Sequence, residues 1–225
     1  MSAGRRAWLW AEMALLFVGG PVLLWKVPAI LAGPGLFVVL WVAGAGALAY
    51  LLRDASFERR KLWNARVVFD RLGVVLLRWI ILACVLLFLF GLASGQVVWG
   101  LRFPAGLFTL PHDIPILWGV IMLAYPWASV YPQNLIYRAF FCQRYAPILP
   151  GHWAMVGVNA VLFSFGHIMF GNWVVLGLTL LGGLLFTGTY LKHKSLLLAT
   201  AEHALYGGFC FSVGFGIFLL YGASG

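Results

Sequence analysis

Charged residues are scarce in this sequence, and acidic residues are the scarcest of them. The chain of 225 residues has six Asp and Glu and fifteen Lys and Arg, so 9% of it is charged, against about 25% in an average soluble domain. So few charges cannot cover the surface of a water-soluble domain of this length. Apolar residues make up 63% of the chain. The composition therefore excludes a soluble globule and indicates an integral membrane protein.

Alternating strand patterns are also lacking, which argues against a β-barrel. Barrel strands alternate polar and apolar residues over about ten positions. The run at 74–93, VVLLRWIILACVLLFLFGLA, is instead apolar on every face and long enough to span a bilayer as a helix. No Cys or His spacing matches a metal site, and we expect no disulfide, metal or cofactor. The predicted fold class is all-α, a polytopic bundle of about seven or eight transmembrane helices.

The span count depends on one segment. Residues 113–145 are too many for one perpendicular span, and Pro126 and Pro132 interrupt them, so we expect a broken or paired helix with a second piece beginning near Pro132. A single crossing gives seven spans, which we prefer, and a double crossing gives eight. The other predicted spans are at about 7–25, 28–52, 74–95, 152–171, 173–191 and 195–221.

The net charge of +9 lies mostly between the spans. Residues 53–73 predict a basic amphipathic segment at the interface, with Phe57, Trp63 and Val67 able to face lipid. With seven spans, the basic connections share one side with the N-terminus, and the positive-inside rule makes that side cytoplasmic. Anionic lipid is the expected partner of these charges, and nucleic acid is not. We expect one integrated domain, with N-terminal spans in 1–112 and a core in 113–225.

A few ionisable side chains lie inside apolar runs, where such groups usually mark a functional cavity. His167 and His203 lie in two different runs, and Arg138 lies in a third. Arg78 is about one turn into its span, where snorkelling to the interface explains it. Each His alone is equally explained as a tether between helices. Together with Arg138, the two His favour a shared site.

Residue spacing predicts how these side chains are oriented. Asn134 and Arg138 are four residues apart and share a helix face, so we expect Asn134 to steady the guanidinium. Gln133 points about 100° away from that face. Phe163 and His167 are also four residues apart, so the phenyl ring is placed to hold the imidazole in one orientation.

Three stretches resemble the CAAX protease and bacteriocin-processing (CPBP, or Abi) family of glutamic-type intramembrane proteases. That family carries Glu-Glu-x-x-x-Arg, Phe-x-x-x-His and His-x-x-x-Asn on three membrane helices. The matching stretches here are Gln133-Asn134-x-x-x-Arg138, Phe163-x-x-x-His167 and His203-x-x-x-Gly207. The resemblance covers about 113–215. It implies an endopeptidase of the bacterial inner membrane that hydrolyses peptide bonds of a membrane-associated or lipid-modified substrate.

The resemblance also implies a role for each position. In the family, the first Glu and the two His activate a water molecule, while the last His and the Asn stabilise the oxyanion. Gln133 occupies the catalytic Glu position and Asn134 the second Glu position. Arg138 is the arginine that pairs with it, and His167 and His203 are the two His. An amide is not a base near neutral pH, so the position of the essential carboxylate is occupied by a group that cannot do its work.

Three hypotheses follow from this departure. The first is an active protease that uses another carboxylate, either Glu12 or Glu202, although Glu202 is about 100° from His203 on a helix and reaches the site only if the helix rotates. The second is an inactive pseudoprotease that binds the same peptides as a scaffold, chaperone or immunity factor. The third is a small-solute transporter, which only the proline-interrupted segment 113–145 favours.

Overall fold

The computed structural model of this chain describes residues 1–31, 34–98, 101–103, 106–216 and 218. Long helices dominate it, and a two-stranded antiparallel ribbon, β1 (Val97–Val98) with β2 (Leu101–Arg102), follows the third helix. Short 3₁₀ turns lie at Pro28–Leu31, Arg59–Leu62 and Ile168–Phe170. The helices are α1 (Ala3–Lys26), α2 (Gly35–Arg53), α3 (Ala65–Ala93), α4 (Thr109–Asp113), α5 (115–144), α6 (His152–Phe165), α7 (Trp173–His193) and α8 (Leu196–Val213).

Six stretches of the described residues are helical, long and apolar enough to cross a membrane: α1, α2, α3, α6 with its following turn, α7 and α8. The prediction of an all-α polytopic membrane protein is therefore confirmed. Helix α5 covers 115–144 and is longer than any of the predicted spans. At a rise of about 1.5 Å per residue, its length exceeds the roughly 30 Å thickness of the hydrocarbon core of a bilayer. It is long enough to cross once but is not among those six apolar stretches, and the choice between seven and eight spans stays a prediction.

Helix α5 is continuous, so the predicted break near Pro132 is wrong. Two π-helical turns, at Pro126–Val130 and Leu135–Phe140, lie within it. A π-helical turn moves the backbone hydrogen bond from residue i−4 to residue i−5, and prolines beside such turns are accommodated without ending the helix. Helix α1 has the same feature, because a π-helical turn at Leu15–Gly19 comes just before Pro21.

The basic segment 53–73 does not form one interfacial element as predicted. Helix α3 begins at Ala65 rather than at 74, so the second half of the segment is the first turns of a spanning helix. Phe57 is buried rather than facing lipid, whereas Trp63 is exposed. Continuing the helix satisfies the backbone hydrogen bonds of 65–73, and the long basic side chains there still reach an interface. The division of the chain at 112 and 113 stays a prediction.

The predicted grouping of basic connections at one end of the bundle is seen in the contacts. Arg5 at the start of α1, Arg53 at the end of α2 and Arg144 at the end of α5 line one pocket. The hydroxyl of Ser195, between α7 and α8, donates to the carbonyl of Asn64 at 3.2 Å. The N-terminus, the 53–64 connection and the α7–α8 turn therefore lie at the same end.

Helix α8 is the central helix. In its most apolar stretch 61% of the residues are buried, compared with 11% in α3, which presents most of its surface outward. Asn159 ties the neighbouring helices together: its amide nitrogen donates to the carbonyl of Tyr137 on α5, and its oxygen accepts from Thr187 on α7 at 2.7 Å. Helices α5 to α8 thus form the buried frame on which the predicted site residues lie.

Candidate active site

A cavity of about 880 Å³ lies between α1, α2, α5 and the turn that follows α6. Its walls are mainly apolar, and its polar side chains are concentrated on α5 at intervals of four residues. A π-helical turn has more residues than an α-helical turn, which keeps positions four apart near one face over several turns. Of these four residues, only Gln133 was identified from the sequence. The four are Tyr125, Ser129, Gln133 and Tyr137.

Gln133 faces this cavity, on a different side of α5 from Asn134, as predicted. Its amide nitrogen donates to the hydroxyl of Ser129 at 2.7 Å. Its Oε1 has no hydrogen-bond partner among the residues that the structure describes. The catalytic position of the resemblance therefore presents an unused carbonyl oxygen, which accepts hydrogen bonds but does not take up protons.

His167 also lines the cavity, from the turn just after α6. Its Nδ1 lies 2.8 Å from the carbonyl oxygen of Phe163. Because a carbonyl only accepts, Nδ1 carries the hydrogen, and Nε2 of the neutral ring is left as an acceptor. The ring of Phe163 stands edge-on to the imidazole at 4.9 Å, and Phe170 stacks on it at 5.9 Å. The predicted contact of Phe163 with His167 is confirmed.

His203 lies buried behind the cavity wall, 6% exposed. Its ring stacks on Phe186 at 4.5 Å and meets the edge of Phe163 at 5.6 Å, so Phe163 contacts both imidazoles. The amide nitrogen of Asn134 lies 3.3 Å from His203 Nδ1 and 3.4 Å from the hydroxyl of Thr200. An amide N–H only donates, so His203 Nδ1 accepts and its Nε2 carries the hydrogen.

Arg138 is fully buried, and Asn134 does not steady it as predicted. None of its guanidinium nitrogens has a hydrogen-bond partner in the described part of the chain. Its Cζ instead lies over the ring of Phe163 at 4.2 Å, with Phe186 at 5.6 Å and Tyr137 at 6.0 Å. The prediction fails because the amide nitrogen of Asn134 is directed to His203 and Thr200, while the guanidinium lies over the phenyl ring. Cation–π contacts of this desolvated kind contribute about 2 kcal/mol or more.

The two candidate carboxylates are both held by arginines. Glu202 is fully buried, with its Oε1 2.9 Å from Arg78, which also donates to Thr189 at 3.1 Å. Arg78 therefore points inward to a partner, and the snorkelling interpretation is wrong. Glu12 accepts two hydrogen bonds from Arg144, at 2.8 and 2.6 Å. No Asp or Glu is among the described residues that line the cavity.

Residues 114–209 match the family model described as Type II CAAX prenyl endopeptidase Rce1-like. The resemblance to the CPBP family is confirmed. The matched CAAX-type region extends from the start of α5 into α8 and contains all five predicted site residues. It indicates an intramembrane protease kind of function for an integral membrane protein. No match was found among curated proteins or among solved structures.

The CAAX-type region departs from the family pattern at Gly207, and the structure shows what occupies the space. A Cβ added at Gly207 would collide with the phenol ring of Tyr125. The same tyrosine stands edge-on to His203 at 6.3 Å and lines the cavity. Where the family has an asparagine side chain, this protein therefore has a tyrosine ring packed against helix backbone.

Proposed function

We propose that this chain is an intramembrane CAAX-type protease that hydrolyses a peptide bond of a membrane-anchored or lipid-modified substrate in the cavity beside α5. The apolar walls suit a lipid-linked or membrane-embedded chain. The polar row from Tyr125 to Tyr137 supplies donors and acceptors for a peptide backbone. The Rce1-like match at 114–209 supports the same class of reaction.

The observation that carries this proposal is the different partners of the two imidazole Nδ1 atoms, which assign the ring hydrogens to opposite nitrogens. His167 presents an acceptor Nε2 beside the cavity, because its Nδ1 donates to Phe163. His203 carries its hydrogen on Nε2, because its Nδ1 accepts from Asn134. Peptide hydrolysis needs both kinds of group, a base for the attacking water and a donor for the oxyanion.

The proposed reaction assigns the base to His167 rather than to a carboxylate. His167 Nε2 takes a proton from water as the oxygen attacks the substrate carbonyl carbon. His203 Nε2–H is the proposed oxyanion donor; because His203 lies behind the cavity wall, this scheme requires the ring of Tyr125, which lines the cavity and stands edge-on to His203, to turn aside. The protonated His167 returns its proton to the amine nitrogen as the C–N bond breaks. Gln133 is a positioning residue in this scheme, because its free Oε1 accepts a hydrogen bond from the attacking water.

The test uses the full chain, purified in detergent, with membrane-anchored and prenylated peptides as substrates and mass spectrometry of the products. His167→Ala and His203→Ala should each lower the cleavage rate by about 10²- to 10⁴-fold, as for other general acid–base groups. His152→Ala is the matched control, because His152 is an exposed histidine at the start of α6 and should leave the rate unchanged. Cleavage that survives both His167→Ala and His203→Ala would exclude this site.

A pseudoprotease that only binds such peptides is the second candidate, and the lack of a carboxylate among the described cavity residues favours it. The two candidates differ in a simple comparison. If the wild-type chain retains labelled peptide without cleaving it, and Gln133→Glu creates cleavage, the binding function is correct. Cleavage by the wild-type chain that requires His167 supports the protease.

We also propose that the protein resides in a bacterial inner membrane with its N-terminus in the cytoplasm. The support is the gathering of Arg5, Arg53 and Arg144 at one end of the bundle, since basic residues flanking spans are retained on the cytoplasmic side. A periplasm-dependent reporter fused before Ser2 should be inactive, and activity of that reporter would reverse the orientation.

A further inference from the structure

A second, polar pocket of about 490 Å³ lies at the basic end of the bundle, apart from the residues assigned to catalysis. Helix α1 contributes Arg5 to it, the end of α2 contributes Tyr50 and Arg53, and α5 contributes Gln143 and Arg144. Its size is that of a small-molecule site, and it lies at the level where the spanning helices end.

The acidic groups in and beside this pocket already have partners. The Asp54 carboxylate accepts from the backbone and hydroxyl of Ser56, at 2.9 and 2.7 Å, and from the amide of Gln143 at 3.0 Å. The carboxylate of Glu12, behind the pocket, accepts hydrogen bonds from Nε and Nη2 of Arg144. Their negative charges are therefore engaged in fixing the pocket walls.

Two arginine side chains in the pocket have no partner within the described residues. The guanidinium groups of Arg5 and Arg53 have no ion pair, hydrogen bond or ring contact within the described ranges of the chain. Two unpaired guanidiniums that converge on a polar pocket form a binding site for an anion with several acceptor oxygens, and phosphate is the group that arginine binds best in this way.

The pocket adjoins the apolar cavity. Gly46 on α2 lines both spaces, and a Cβ added at Gly46 meets no atom within 4 Å. An amphiphile with an anionic head therefore finds both of its preferred environments side by side, a cationic pocket at the helix ends and apolar walls deeper in the bundle. A free anion uses only the first of the two.

We infer that this pocket binds the phosphate headgroup of an anionic membrane lipid between Arg5 and Arg53, with an acyl chain passing Gly46 toward the apolar cavity. This assignment does not depend on hydrolysis. It makes the bound lipid a neighbour of the peptide site, because the two share the wall at Gly46. Lipid retention can therefore be measured in the absence of any peptide substrate.

The experiment titrates the purified full chain in detergent with phosphatidylglycerol, or with phosphatidylcholine of the same acyl chains, and reads bound lipid by native mass spectrometry. The wild-type chain should prefer phosphatidylglycerol. The double variant Arg5→Ala with Arg53→Ala should weaken its binding by about tenfold or more, since each basic group near a lipid headgroup contributes about 1 kcal/mol. Arg60→Ala with Arg66→Ala, which removes the same charge from exposed positions outside the pocket, should change it little.

Three results would overturn the inference. Equal weakening by the two double variants would show a diffuse attraction to the basic surface. Equal binding of the two lipids would show no headgroup site. Complete displacement of phosphatidylglycerol by millimolar inorganic phosphate would show a site for a free anion.

Gly46→Phe tests the path of the acyl chain. It should weaken the binding of long-chain phosphatidylglycerol but not the binding of dihexanoyl phosphatidylglycerol. Unchanged binding of the long-chain lipid would refute that path.

Discussion

Replacing Gly207 by alanine should destabilise this protein, against the usual trend for a helix interior. In an exposed helix, Gly→Ala stabilises by about 1 kcal/mol. At Gly207, a Cβ would lie 2.6 Å from Tyr125 Cζ and would also overlap other atoms of that ring. Overpacking of this kind costs about 1–3 kcal/mol. The tyrosine lines the cavity, so a Cβ at position 207 would push its ring toward that space and disturb its edge-on contact with His203.

Two other glycines are matched controls. Gly208→Ala meets the sulfur of Met122 at 3.2 Å, and a flexible thioether gives way, so the expected change is small. Gly188→Ala on α7 meets nothing within 4 Å and should be neutral or stabilising. Thermal unfolding in detergent, followed by far-ultraviolet circular dichroism, measures the series. The overpacking cost less the helix-propensity gain leaves a net loss of up to about 2 kcal/mol. Each 1 kcal/mol shifts the Tm by about 2–4 °C in a chain of this size, so Gly207→Ala should lower the Tm by up to about 8 °C.

The same collision determines whether the family asparagine can be restored. The Tm of Gly207→Asn alone should be at least as low as the Tm of Gly207→Ala. Adding Tyr125→Ala should recover part of the lost stability, because the two side chains then no longer overlap. A Tm of Gly207→Ala that equals or exceeds the Tm of Gly188→Ala would refute the reasoning. So would simple additivity of Gly207→Asn and Tyr125→Ala.

Two further predictions concern the basic end of the bundle. Arg144→Ala should destabilise by about 1–3 kcal/mol, because it removes the charge partner of the Glu12 carboxylate, 16% exposed, and leaves it only the neutral donors Tyr145 and Trp8. Exchanging Glu12 and Arg144 should recover part of the Tm, and an unchanged Tm in Arg144→Ala would contradict the contact. Hydrogen bonds from Ser56 and Gln143 hold the pKa of Asp54 below its ordinary value of 3.8. The ionised carboxylate therefore stabilises the 53–56 turn fully above pH 3.8, and this stabilisation is lost as the pH falls through the lowered pKa of the folded protein. Asp54→Asn should remove this acid dependence from the amide exchange of Ser56, and an unaltered dependence would assign it to another group.

Much of the architecture was predictable because membrane insertion is a local property of the chain. The apolar runs predicted six of the helices and the broad fold class, since about twenty apolar residues are sufficient for a span. The two errors both concern helix continuity. Pro132 does not end α5 because π-helical turns absorb it, and α3 starts at Ala65 because backbone hydrogen bonding continues into a polar stretch. Neither effect is visible in hydropathy.

The structure brings together several of the residues that the motifs grouped, but through contacts that the sequence did not predict. The order of motifs identified Gln133, Arg138, His167 and His203, and the structure places the two imidazoles against one phenyl ring, Phe163. Helix geometry alone suggested a partner for Arg138 that the structure does not show, because residues of a neighbouring helix, Thr200 and His203, engage the Asn134 amide instead. The roles of these residues in catalysis stay predictions, and the His167 and His203 variants test them.

The sequence by itself determined that this is a polytopic membrane protein with a CAAX-type set of motifs that lacks the family carboxylate. Those properties depend on composition and on residue order, which neighbouring helices do not alter. Only the tertiary structure decided that Glu202 faces Arg78 and not the cavity, and that the two imidazoles carry their hydrogens on opposite nitrogens. The rotation of each helix against its neighbours sets these contacts, and that rotation is a property of the packed bundle.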